Sequence, residues 1–200
     1  HLDGGGLLSV NLFARQIEDV IQQELSRAAD TGRWTSRPFN NGEARTRGIE
    51  LEAKGNLAKW LGHGPAVDLR ASVARNWSVV DAVPGPDNRL AQQTPLSANL
   101  GADWRPEGRP LTLGASLGLV RGGWARLSDR ERVHTSVRRS LDAYVLWKLD
   151  ARSQLRFAAA NLLQQDQVGY RSYVDAGSGV EQWNTQRSFP VYRLTLELKL

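Results

Sequence analysis

The sequence has no cysteine, which removes disulfide scaffolds, Cys-zinc sites and thiol catalysis together. Its three histidines, His1, His63 and His134, are scattered, leaving little for a His-rich metal site. No run approaches the ~18 uninterrupted apolar residues of a transmembrane helix, so a helical membrane protein is excluded. Charge of one sign is also missing. Lys+Arg 26 against Asp+Glu 21 leaves +5, with 24% of residues charged, too balanced for a disordered tail. The opening HLDGGGLLSV lacks Met, a basic segment and an apolar stretch before a cleavage site. It is not a signal peptide and reads as an internal start. Against these absences stand a modest 40% hydrophobic share and seven Trp in 200 residues, a high number for a soluble domain.

The dominant period is two. Leu96, Ala98, Leu100, Ala102 and Trp104 share one face, opposed by Ser97, Asn99, Gly101 and Asp103. Leu111, Leu113, Ala115, Leu117 and Leu119 alternate with Thr112, Gly114, Ser116 and Gly118. Tyr192, Leu194, Leu196, Leu198 and Leu200 alternate with Arg193, Thr195, Glu197 and Lys199. Successive side chains of a strand point to opposite faces, so these are half-buried strands. Eight strands are predicted, over about 7–25, 43–57, 66–80, 94–105, 110–122, 136–149, 153–165 and 186–200. The first is ambiguous. Leu8, Val10, Leu12 and Ala14 alternate, but Val10, Phe13, Ile17, Val20, Ile21 and Leu25 also sit at helical spacing.

The connections alternate in length. Residues 58–65, 106–109 and 150–152 are short, with Gly62, Gly64, Pro65, Pro106 and Gly108 as turn residues. Residues 26–42, 81–93, 123–135 and 166–185 are long. Short periplasmic turns and long extracellular loops are the pattern of an up-and-down outer-membrane barrel. Trp60, Trp104 and Trp147 lie near short turns, and Trp77 and Trp124 near long loops, as two aromatic girdles would. Trp34 and Trp183 fall in loops and support neither a girdle nor a packed core. The polar face carries charge in nearly every strand, including Arg15, Glu50, Glu52, Lys54, Asp68, Arg70, Asp103, Lys148, Arg156, Arg193, Glu197 and Lys199. A small dry core could not hold these, whereas a hydrated lumen can. The other face is almost free of charge, as lipid contact demands.

Four segments resemble TonB-dependent outer-membrane receptors. They are NNGEARTRGIELEAKGNL (Asn40–Leu57), QQTPLSANLGADWRPEG (Gln92–Gly108), AANLLQQDQVGYRSY (Ala159–Tyr173, with Asn161, Leu162 and Tyr170) and the closing SFPVYRLTLELKL. The resemblance runs from about residue 7 to 200, in the family's order. The family commonly closes on an aromatic residue, and Leu200 departs from that. The resemblance implies an all-β, antiparallel, up-and-down transmembrane barrel of roughly 22 strands. Residues 1–200 would be its C-terminal portion, with the plug domain and N-terminal strands lying elsewhere. It also implies an outer-membrane location and import of a scarce nutrient, most often a ferric siderophore, sometimes haem or cobalamin. The partners implied are outer-membrane lipid and lipopolysaccharide, the TonB system acting through the plug, and a metal chelate or similar small molecule. The resemblance names no ligand-contacting residues.

Other readings carry less. His134 and Ser136 have the His-x-Ser spacing that an outer-membrane phospholipase uses for a nucleophile pair. Arg130, Glu131, Arg132, Arg138 and Arg139 around them suit a polar loop better, and no orienting Asn or Asp is evident at a helpful position, so no enzyme activity and no catalytic residue is expected. The same arginines with Trp124 suggest nucleic acid only weakly, because Asp129 and Glu131 interrupt them. A solvated loop or lipopolysaccharide contact suits them better. Gly4–Gly6, Gly114, Gly118, Gly122 and Gly123 lack the context of a phosphate loop. The dispersed acids form no metal-spaced cluster, and no cofactor is expected. Two further architectures remain open, a complete eight-stranded outer-membrane barrel with a structural or lipid-hydrolase role, and a soluble ligand-binding barrel. A complete barrel requires strand 186–200 to pair with residues 7–25. A part of a larger one leaves both edges unpaired.

Overall fold

The alternating segments become neighbours in one antiparallel sheet. A computed structural model describes residues 6–175 and 178–199. Gly4 and Gly5, Gly177 in a long connection and Leu200 at the end of the last predicted strand lie outside the described residues. In chain order the elements are β1 (Leu7–Ile17), β2 (Ile21–Arg27), β3 (Trp34–Asn40), β4 (Ala44–Asn56), the helix α1 (Leu57–Leu61), β5 (Val67–Val80), β6 (Leu96–Trp104) and β7 (Leu111–Arg121). They continue with β8 (Gly123–Arg126), β9 (Glu131–Thr135), β10 (Arg138–Lys148), β11 (Ser153–Ala160), β12 (Gln167–Asp175), β13 (Ser178–Gln186) and β14 (Val191–Leu198).

The main sheet has eight strands in the order β1-β4-β5-β6-β7-β10-β11-β14. All eight predicted strands contribute to it. Its ends, β1 and β14, do not meet. Among the described residues β14 pairs with β11 alone, with Leu194 opposite Phe157 and Leu196 opposite Leu155. The sheet is open, as expected of a part of a larger barrel, and the closed eight-stranded alternative is not what forms.

Register explains the two faces. Leu8, Ala53, Ala71, Leu100, Leu117 and Leu141 stand side by side across six strands. Leu8, Leu100 and Leu117 keep 60%, 54% and 45% of their surface exposed. An apolar face this wide and this bare is a contact surface for something apolar. On the opposite face Lys54, Arg70, Gly101, Ser116 and Asp142 form a polar row in the same register.

Four boundaries differ from those predicted. The first strand does not run to residue 25. It breaks at Asp19, whose φ is 53°, a left-handed backbone that a strand cannot continue through. The Asp19 carboxylate accepts from Asn40 Nδ2 at 2.7 Å, and Val20 exchanges backbone bonds with Asn41 and Gly42. Val20 then turns into a small core with Ala44, Val80 and Val83. The helical spacing noted for Ile17, Val20 and Ile21 reflects this change of direction. The second difference is at residues 58–65, which hold one turn of helix. Asn56 caps α1 by accepting from Lys59 N at 3.3 Å, and Gly62 closes it at φ 74°. Finally, the strand predicted over 153–165 stops at Ala160, before Asn161 at φ 57°, and the last strand begins at Val191 rather than 186.

The long connections are themselves strands. β2 and β3 form a hairpin, and β13-β12-β9-β8 form a four-stranded sheet. The second sheet prolongs the wall, since β8 and β9 extend the β7–β10 hairpin and β12 and β13 extend β11–β14.

Candidate functional site

The polar face holds several of its charges in pairs. Arg70 Nη2 donates to Asp103 Oδ2 at 2.6 Å, and Tyr144 OH donates to Asp103 Oδ1 at 2.7 Å. Arg156 lies over the Tyr144 ring, 4.3 Å from its centroid. Register puts Asp103, Gly114 and Tyr144 side by side on β6, β7 and β10. Gly114 is what lets the Tyr144 ring lie flat across the sheet. A Cβ there would sit 2.0 Å from Tyr144 Cε1 and 2.6 Å from Asp103 Oδ1. Nearer the short connections, Asp68 accepts from Asn56 Nδ2 at 2.7 Å and pairs with Arg105. Of the charged residues predicted for this face, Asp68, Arg70, Asp103 and Arg156 therefore gather into one region. Arg193 stands beside Ala158 in the same register. Glu50 accepts from Asn11, Lys54 bonds Glu52 at 2.6 Å, and Glu197 accepts from Gln154.

Above the long-connection end, the connections lock together. Glu131 is fully buried although it sits in the run Asp129–Arg132 that reads as solvated loop. Its Oε1 accepts from Arg171 Nε on β12, and its Oε2 accepts from Leu25 N on β2 at 3.3 Å. Trp34 on β3 meets Tyr173 edge-on at 4.8 Å. Asn41 Nδ2 donates to the Leu127 carbonyl at 3.2 Å. Arg89 donates to the carbonyls of Gln93 at 2.6 Å and Trp124 at 2.9 Å, joining residues 81–93 to β8. Burial lowers the Arg89 pKa from its ordinary value, an effect that nearby Asp87 opposes. A cleft of about 650 Å³ lies between these parts, lined by Val20–Gln23, Leu90–Gln93, Leu127, Val133 and Arg171.

This cleft sits on the polar-face side. Leu90 N donates to Ser78 Oγ at 3.0 Å, and Gln93 Nε2 donates to Thr46 Oγ1 at 2.6 Å. Ser78 and Thr46 are a paired row of that face. The opposite face of the four-stranded sheet displays Trp124, His134, Tyr170 and Trp183, one residue per strand in a single row. The Trp124 ring lies 4.9 Å from His134 and 5.4 Å from Tyr170, Tyr170 lies 4.5 Å from Trp183, and Arg132 lies 4.8 Å from the Trp124 centroid.

The His-x-Ser pair is thereby accounted for. His134 is the second ring of that row. Ser136 lies beyond the end of β9, and its Oγ accepts from Val168 N at 2.9 Å. Neither is arranged as a nucleophile and base. Arg130 is held by Asp129 and Asp175. Arg138 and Arg139 begin β10 and are separated from Arg130 and Arg132, so the basic run is not one patch. Among the described residues no group of three or more His, Cys, Asp or Glu is placed to hold a metal. No described helix is long and apolar enough to cross a membrane, a statement that leaves strands aside.

The composition of the polar face was legible in the sequence, but the Glu131 clasp was not. Its one signal is the alternation of Glu131 with Val133 on a strand too short to stand out.

No curated protein and no solved structure matches the chain. A family model described as TonB dependent receptor-like, beta-barrel, matches residues 1–177, covering β1 through β12. Members of that family are outer-membrane transport proteins for nutrient uptake rather than enzymes. The open antiparallel sheet, with one bare apolar face and one ion-paired face, fits a segment of such a wall, and the chain belongs to the family of TonB-dependent receptor-like β-barrels.

Proposed function

We infer that residues 1–200 form the C-terminal wall and external loops of an outer-membrane receptor that imports a ferric siderophore by way of a TonB-coupled plug. The observation that carries this reading is the contrast between the two faces of one sheet. Leu100 and Leu117 stand bare on one side, while Arg70, Asp103 and Tyr144 are joined on the other. Lipid satisfies the first face and a hydrated lumen the second. The long connections lie outside the cell and the short ones in the periplasm. Outer-membrane lipid and lipopolysaccharide surround the apolar face. The cleft between residues 20–23, 90–93 and 133 opens on the polar side, where an incoming metal chelate would pass Arg171. Trp104 and Trp147, both about half exposed at the short-connection end, support a periplasmic girdle.

The test is uptake of radiolabelled iron on defined siderophores by cells that carry or lack the full-length gene. Loss of uptake on one siderophore, restored by the gene and abolished by removing the TonB energy supply, is the expected result. Unchanged uptake on every ferric siderophore, with loss on a different nutrient, would replace the cargo. No uptake defect at all would remove the receptor reading.

A further inference from the structure

The apolar face changes character at one end only. On β4 the outward positions Ile49 and Leu51 give way to Arg47 and Arg45, and on β5 Val73 gives way to Arg75, Trp77 and Val79. Arg121 ends the outward row of β7, and Arg139 begins that of β10. Each keeps the parity of its apolar neighbours within an unbroken strand, so all five arginines stand on the lipid side, which corrects the expectation that this face is almost free of charge.

Their heights agree. Arg139 shares a register row with Leu119, Ala98, Val73 and Leu51. Arg75 and Arg121 flank Leu96 in the next row, Arg47 and Trp77 fill the one after, and Arg45 pairs with Val79 beyond that. The belt thus climbs four to six residues over the four strand steps from β10 to β4. Strands tilted by about 35–45° shift a level line by roughly one residue per strand, so this staircase is a horizontal ring. The tryptophans at the other end climb the same way. Trp104 stands in register with Val145, two residues above Trp147. Arg139 to Trp147 and Leu96 to Trp104 each span nine residues, within the ~9–11 of a tilted membrane strand. The arginines therefore lie at headgroup level, and only on the long-connection side.

One part of the ring is built as a site. Arg47 and Arg75 both lie over Trp77, at 6.0 and 5.3 Å from its centroid. A groove of about 540 Å³ runs beside them, with Ala14, Trp77, Val79, Arg45 and Arg47 among its lining. Asp81 takes Arg45 at 2.9 Å, and Glu43 accepts from Gln16. Among the described residues no carboxylate is within ion-pair distance of Arg47, Arg75, Arg121 or Arg139. Two guanidinium groups fixed on an indole face and left without an acid are a receptor for phosphate. An apolar groove adjoining them fits an acyl chain.

We propose that Arg47, Trp77 and Arg75, with the groove beside Arg45, bind one phosphorylated glycolipid of the outer leaflet, lipopolysaccharide. A phosphate lies between Arg47 and Arg75, and an acyl chain lies along Ala14 and Val79. The assignment rests on the reading above that the long connections face the cell exterior. It commits to the glycolipid over a phospholipid because the apolar face carries arginines only at the end where the glycolipid leaflet lies. The short-connection end offers Trp104 and Trp147 instead.

The test uses the full-length receptor purified from outer membranes and stripped of lipid. Binding of lipid A, dephosphorylated lipid A and phosphatidylglycerol is measured by native mass spectrometry and by titration in detergent. Lipid A is expected to bind the native protein at least tenfold more tightly than the dephosphorylated form, and phosphatidylglycerol should not displace it. The double variant Arg47→Gln, Arg75→Gln should bind lipid A at least tenfold more weakly, with Arg109→Gln, at the other end of the wall, unchanged. Equal binding by the folded double variant would overturn the site. Equal binding of phosphorylated and dephosphorylated lipid A by the native protein would do so even if the variant fails to fold. Displacement by phosphatidylglycerol would overturn the choice of glycolipid. Siderophore uptake by the double variant should persist, so failure of the lipid site is distinct from failure of the receptor reading, which shows as no uptake by the native protein.

Discussion

Arg171 on β12 donates its Nε to a Glu131 carboxylate that has no exposed surface, and the other oxygen of that carboxylate takes the backbone N–H of Leu25. One side chain thus joins three connections that are far apart in sequence. Glu131→Ala should cost on the order of 2–3 kcal/mol in loop docking. The figure is below that for a fully buried pair because the Arg171 side chain is 35% exposed and can regain water. The wall strands should be unaffected. Hydrogen exchange should show faster exchange at Leu25 and across β8 and β9 with no change in β5 to β7. Uniform destabilisation would mean that the clasp is not local.

The two faces can be weighed at adjacent residues. Leu117 stands bare on the apolar face and Ser116 on the polar one, opposite Asp142. Leu117→Arg is expected to cost about 2–4 kcal/mol in a bilayer and Ser116→Arg much less. Equal shifts in urea-unfolding midpoints would reverse the facing.

Gly114 is a steric prediction. A methyl group there collides with Tyr144, so Gly114→Ala should cost about 1–3 kcal/mol in the native background. With Tyr144→Ala also present the same change should cost clearly less, the remaining close approach being to Asp103 Oδ1. A double-mutant cycle that comes out additive would show that Tyr144 does not lie over Gly114 in solution.

Sidedness is open to labelling because the native chain has no cysteine. Single cysteines at Asp87 and Asp129, both exposed in long connections, should react with an impermeant thiol reagent on intact cells. One at Gly108, in a short connection, should react only after lysis. Labelling of Gly108 with silence at Asp129 would invert the wall.

Asp150 makes the last short connection sensitive to acid. Its carboxylate accepts from the Arg152 N–H at 2.7 Å, the Ser153 N–H at 2.9 Å and the Ser153 hydroxyl at 2.8 Å, which together hold its pKa below the ordinary value. A folded pKa below the unfolded one stabilises the turn above the unfolded value and loses that stabilisation as pH falls through the folded one. Acid should therefore loosen residues 149–153 as pH falls through the lowered pKa of Asp150. Asp150→Asn should flatten that limb when exchange at Ser153 is followed from pH 5 downward. An unchanged acid limb in the variant would place the titration elsewhere.

The wall was legible because its burial pattern has the period of a strand. From Leu96 to Trp104 and from Leu111 to Arg121 every second residue must meet lipid, and that demand is written at each position. The outer sheet was not legible, because no such demand acts there. All nine residues of β13, SGVEQWNTQ, are exposed, so nothing forces alternation on them. Pairing with β12 holds that strand, and pairing leaves no mark on one strand read alone. The end of β1 was misplaced for a related reason. Apolar residues continue past Asp19 at Val20 and Ile21, and only the left-handed turn that Asp19 adopts ends the strand. For the candidate site, the charges facing the lumen were readable one by one from parity. Which of them meet depends on register, so the joining of Arg70, Asp103 and Tyr144 across Gly114 emerged only with the sheet.

The register of the longest hairpin carries a rule about length. Val120 faces Arg138 in the wall and Gly123 faces Thr135 in the outer sheet. Two residues on each arm, Arg121 and Gly122 against Ser136 and Val137, bridge the two, so the arms are matched in count. The bridge also reverses the alternation: Arg121 and Arg139 stand on the lipid side at odd positions, whereas Trp124 and His134 stand away from the cleft at even ones, and Val133 lines the cleft. Both arms reverse within the same two residues, so their pairing passes from one sheet to the other without a slip. A residue added to one arm alone would have no partner opposite and would form a bulge, whereas one added to each arm keeps the count matched.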